Sequence, residues 1–104
     1  MEQTNAVIKI QFPQDQIADL CHRYHIHRLS LFGSVLRDDF RPDSDVDILV
    51  EFEPEARIGF MALGRIRRDL AALLQRSVDL VPKDGLKPAI RESVLASAEV
   101  VYAA

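Results

Sequence analysis

A chain of 104 residues, 48% hydrophobic and 28% charged, has the size and composition of one folded domain, burying about 65% of its unfolded surface. Thirteen Lys and Arg against sixteen Asp and Glu give a formal charge of −3, which argues against a general nucleic-acid coat, whose affinity rests on neutralised phosphates. Lone Cys21 makes neither an internal disulfide nor a cysteine-rich zinc site, and neither a bilayer-spanning apolar run nor a signal peptide at residues 1–6 is seen.

Pro13 suits the first residue of a helix, and Ile17, Leu20, Cys21 and Tyr24 follow at helical spacing. Leu29 and Leu31 then alternate with Arg28 and Ser30 in a strand ending at Phe32, which Gly33-Ser34 breaks. Residues 35–39 read as one helical turn, and Arg41-Pro42-Asp43-Ser44 is turn chemistry. The strand over 45–52 is the clearest in the chain: Val46, Ile48, Val50 and Phe52 share one face, Asp45, Asp47, Leu49 and Glu51 the other. After a polar connection at 53–57, Phe60, Leu63, Ile66, Leu70, Leu73 and Leu74 recur with helical period over 59–75. Residues 78–81, closed by Pro82, read as a third strand carrying Asp79. Lys83-Asp84-Gly85 is a turn, and Pro88 opens a last helix with Ile90, Val94, Leu95 and Ala98 inward. Residues 99–102 either finish that helix or add an edge strand. The expected fold is α/β, with a central α+β mixed sheet flanked by helices, in one cytoplasmic domain over residues 1–104.

The chemistry lies between Gly33 and Val50. Asp45 and Asp47 sit two apart on a strand and project from one face, their α-carbons about 6.5–7 Å apart, so both carboxylates can converge on one hard cation such as Mg²⁺. A third acid on an adjacent strand would complete the site, and Asp79, between Val78 and Leu80, is placed to supply it. Three carboxylates can hold two metal ions about 3.5–4 Å apart, clamping the attacking and leaving oxygens of phosphoryl chemistry. Gly33 lets backbone approach a ligand closely, and the following amides with the Ser34 hydroxyl can point at phosphate oxygens.

Gly33-Ser34, ten intervening residues, then Asp45-Val46-Asp47 resembles the signature of the DNA-polymerase-β-like nucleotidyltransferase superfamily. In length the chain looks like its minimal branch (MNT), typically the antitoxin of HEPN/MNT toxin–antitoxin pairs. The likeness is specific over residues 29–52 and looser over 59–81. It implies a small polymerase-β-like core in which Asp45 and Asp47 bind metal and Asp79 bridges metal while helping to deprotonate the attacking hydroxyl. Gly33 and Ser34 would hold the β- and γ-phosphates of the NTP, with Arg37 bracing the loop or a phosphate. The pattern departs at Asp38, where glycine is common, and at Leu36, where a smaller residue is usual; both bear on the loop's shape. The resemblance further implies ATP as donor, a pair of Mg²⁺ ions, and adenylylation of a tyrosine on a HEPN toxin. This chain has little beyond the core to hold an acceptor, so another protein is expected to present it. Two alternatives remain: an antitoxin that only binds its partner, and the catalytic subunit of a small-molecule nucleotidyltransferase with a separate acceptor-binding chain.

Plainer readings stand beside these. The alternating Asp43, Asp45 and Asp47 are not an EF-hand, which needs Gly where Ile48 stands and Glu where Pro54 stands. Arg37 can equally pair with Asp38, Asp39 or Asp43. His22, His25 and His27 read as exposed polar residues. Arg65, Arg68 and Arg76 read as a solvated helix face, with a docking patch as the alternative.

Overall fold

The computed structural model describes residues 12–36, 41 and 43–104. Arg37, Asp38, Asp39 and Pro42, and with them the expected turn beyond Leu36, lie outside the described residues.

The chain runs α1 (Gln14–Arg23), β1 (Ile26–Phe32), a 3₁₀ turn (Gly33–Leu36), β2 (Val46–Phe52), α2 (Phe60–Leu74), β3 (Val78–Pro82), a short 3₁₀ turn (Lys83–Gly85), α3 (Pro88–Ser97) and β4 (Glu99–Ala103). The strands form one mixed sheet in the order β3-β2-β1-β4. β1 is antiparallel to both β2 and β4, while β2 and β3 are parallel. Parallel neighbours need a crossover, and α2 supplies it. The undecided residues after 98 form an edge strand.

One face of the sheet is the core. Leu29, Leu31, Val46, Ile48, Val50 and Val78 are buried in one cluster with Ile17, Leu20 and Cys21 of α1 and Ile66, Leu70 and Leu74 of α2. Strand alternation and helical period converge on this layer, so the same residue types satisfy both periodicities. Burial pushes the Cys21 thiol up to about 12, so it stays a neutral, inert part of the core. The two covering helices are also tied across their polar rims, where the Tyr24 hydroxyl donates to Asp69 Oδ2 at 3.0 Å. No helix among the described residues is long and apolar enough to cross a membrane.

Three sequence expectations need correction. Pro13 is the N-cap rather than the first helical residue; its φ of −73° and ψ of 92° are extended, and its carbonyl accepts from Ile17 N at 2.9 Å. Phe60 belongs to the apolar period of α2 yet is 93% exposed, because it lies in the first turn. α3 buries no residue: Ile90 and Leu95 are exposed, while Val94 and Ala98 are half-buried. A hydrophobic period identifies residues that share a face, and whether anything covers that face depends on the tertiary fold.

Candidate active site

The face of the sheet opposite the core carries the candidate chemistry. In β2 the residues between the core positions are Asp47, Leu49 and Glu51, and Asp45 immediately precedes the strand. The parallel ladder pairs Val46 with Val78, Asp47 with Asp79 and Ile48 with Leu80. Paired residues on neighbouring strands point to the same side about 4.8 Å apart. Asp47 and Asp79 are therefore side by side, and Asp45 stands two residues before Asp47, just outside the strand. Asp45 and Asp79 are exposed and Asp47 is half-buried.

Gly33 meets this group from β1. Phe32 pairs with Asp47 in the antiparallel ladder, which brings the next residue to the edge of the acid group. Gly33 has φ +76°, a left-handed conformation that L side chains rarely adopt. A Cβ there would collide with the Asp47 carboxylate, lying 3.2 Å from its Cγ and closer still to Oδ2. The glycine is thus required twice, by backbone conformation and by the carboxylate occupying the place of its side chain. The sequence reading gave only the approach of a ligand as its reason. Ser34 follows in the 3₁₀ turn and is half-buried. Beside the turn, a cleft of about 480 Å³ opens between Phe32, Gly33 and Leu36 on one side and Val94 and Ser97 of α3 on the other.

Farther along the same face the charges are balanced. Glu51 forms ion pairs with Arg28, Oε2 to Nη1 at 3.7 Å, and with Lys83, Oε1 to Nζ at 3.5 Å. The acidic end and this compensated end differ in kind, although both lie on one strand.

Among the described residues, no three His, Cys, Asp or Glu side chains meet closely enough to form a ready-made metal cage. Backbone register, rather than converged carboxylates, sets Asp47 beside Asp79, with Asp45 two residues before Asp47. That arrangement suits Mg²⁺, which takes one or two protein carboxylates, keeps several waters and fills its shell with substrate phosphates. The donor set is all oxygen, and the place where a Cβ would stand holds a carboxylate instead. The histidines lie elsewhere: His22 and His25 are exposed, and His25 Nδ1 stands 3.7 Å from Glu53 Oε1.

Sequence reasoning overlooked Arg76. It was grouped with Arg65 and Arg68 on a helix face, but α2 ends at Leu74 and Gln75 turns left-handed at φ 54°. Arg76 is half-buried and its Nη2 donates to the carbonyls of Arg41, at 2.8 Å, and Ser44, at 3.0 Å. Only its place beyond the apolar period could have hinted at this.

The nucleotidyltransferase domain family matches residues 14–101. This chain belongs to that family. Protein adenylyltransferase MntA of Thermococcus cleftensis is 40% identical over 84 residues, covering 81% of each chain. A solved structure assigned as a candidate minimal nucleotidyltransferase superposes with a TM-score of 0.67 at 37% identity, covering 86% of this chain and 87% of that one. The MNT fold also recurs in a tri-AMPylated HEPN toxin–MNT antitoxin complex from Shewanella oneidensis, at TM-score 0.62 and 22% identity, covering 88% and 70%. The chain is thus a nucleotidyltransferase domain and a homologue of MntA, with the mixed α/β fold expected from its sequence.

Proposed function

We propose that this nucleotidyltransferase is an antitoxin that transfers AMP from ATP to a tyrosine hydroxyl of a HEPN-type toxin, with Asp45, Asp47 and Asp79 holding Mg²⁺. The observation that carries the reading is the register of Asp47 with Asp79 beside a glycine that fits only because it has no Cβ. The adenylyltransferase name of the Thermococcus relative and the AMPylated toxin in the Shewanella complex support the choice of donor and partner.

Each residue then has a task. The amides after Gly33 and the Ser34 hydroxyl bind the β- and γ-phosphates, and Arg37 braces that loop or a phosphate. When bound, Mg²⁺ supplies Lewis-acid polarisation and offsets phosphate charge. Asp79 accepts the proton of the incoming hydroxyl, whose oxygen bonds to the α-phosphorus as the bond to the bridging oxygen breaks and pyrophosphate leaves. Orientation of the two substrates supplies much of the rate, because a bimolecular encounter becomes an intramolecular one.

Intact-mass spectra of the HEPN partner after co-expression test the proposal. Wild type leaves the partner heavier by one or more AMP units. Asp79→Asn binds the partner normally but lowers modification by about a thousandfold, equivalent to several kcal/mol in the barrier. An unmodified partner that is nonetheless neutralised by wild type contradicts the enzymatic reading and leaves a binding antitoxin.

A further inference from the structure

Of the three candidate acids, Asp45 is the least anchored by the sheet. The ladder of β2 with β3 begins at Val46, and that with β1 ends at Asp47, so Asp45 lies outside both. What holds its backbone comes from the segment after α2. Arg76 Nη2 donates to the carbonyl of Ser44, directly before Asp45, and to that of Arg41 three residues earlier. Directly after Asp45, Val46 N–H donates to the Ser77 carbonyl at 2.9 Å. Both neighbours of Asp45 are therefore fixed to consecutive residues, 76 and 77, which lead straight into Asp79.

The turn that Arg76 grips is closed in its own right. Ser44 N–H donates to the Arg41 carbonyl at 3.0 Å, and Arg41 N–H donates to Ser44 Oγ, also at 3.0 Å. These two bonds tie Arg41 to Ser44, and the guanidinium bonds the carbonyls of both. Hydrogen bonds from a guanidinium are charge-assisted, and Arg76 spans segments 32 and 35 residues apart. A basic residue after a helix commonly serves that helix's own last carbonyls; this one reaches across to the strand carrying the acids.

We infer that Arg76 is a positioning residue that fixes Asp45 relative to Asp79. It acts through the 41–44 turn, not on the nucleotide. The inference rests on the adenylyltransferase reading for its functional meaning, but its structural content can be measured without transfer.

The test compares wild type, Arg76→Ala and Arg76→Lys in Mn²⁺ titrations of the chain without nucleotide, in hydrogen exchange at the Val46 amide, and in the Mg²⁺ dependence of AMP transfer. Loss of a group that orients a metal ligand typically costs about 10–100-fold in affinity or activity. Arg76→Ala should weaken Mn²⁺ binding and raise half-saturating Mg²⁺ within that range, speed exchange at Val46, and lower the rate at saturating Mg²⁺ much less. Arg76→Lys keeps a cationic donor and should recover most of the loss; if Arg76→Ala fails to fold, a smaller shift of the same sign in Arg76→Lys decides the matter. Wild-type Mn²⁺ affinity and Val46 exchange in Arg76→Ala would overturn the inference. A wild type that binds Mn²⁺ but modifies no partner instead sinks the adenylyltransferase reading alone.

Discussion

At the β2–β3 edge, the acids stand on paired strands, Val46 is bonded to Ser77, and Arg76 crosses to the turn before Asp45. At the other end, α3 buries no residue, and Ile90 and Val100 are 48% and 55% exposed. Both regions flank the same sheet, and both carry apolar residues at suitable spacing. The first is tied by side-chain hydrogen bonds from a distant segment, whereas the hydrogen bonds of Ser97 in α3 go to Ser93 and Val94 of the same helix. The difference teaches where precision is required. Under the proposed function the acid end holds two phosphates and a hydroxyl, a task that needs its backbone fixed from several directions. α3 is held mainly by half-buried residues such as Val94.

Substitutions can break or sharpen this contrast. Leu70→Ala, beneath the β2–β3 layer, should destabilise the protein by about 2–5 kcal/mol in denaturant unfolding, because Leu70 is fully buried and its loss leaves a cavity. Gly33→Ala should cost about 1–2 kcal/mol from its left-handed backbone alone. It should also weaken ATP binding, since the new methyl is accommodated only if the Asp47 carboxylate turns aside. Ile90→Ala, on the exposed face of α3, should change stability by no more than about 0.5 kcal/mol. An Ile90→Ala loss as large as that of Leu70→Ala would erase the distinction between the two regions.

The legible parts of the sequence were those in which chemistry and periodicity coincide. Val46, Ile48 and Val50 alternate with Asp47 and Glu51, so one strand displayed both its core face and its acid face. Gly33-Ser34 marked the strand's end, and Asp79 lay between two core-type residues. Strand direction was not legible, because alternation is the same in parallel and antiparallel ladders. That is why the pairing of Asp47 with Asp79 needed the fold. Arg76 was illegible for a related reason: its partners are backbone carbonyls at Arg41 and Ser44, and carbonyls leave no mark on residue identity. In α3 the helical spacing was real, but Ile90 and Leu95 are both left exposed.

The central claim is that the nucleotide and its metal sit on the acid end of the β2–β3 face, beside the Gly33 turn. Amide NMR spectra of the chain with ATP, titrated with Mn²⁺, test this residue by residue, because a paramagnetic ion broadens the signals nearest to it. The account predicts that broadening begins at Gly33, Ser34, Asp45, Asp47 and Asp79 and is removed by Asp47→Asn. Broadening that instead centres on His22 and His25, or that survives Asp47→Asn unchanged, would contradict it.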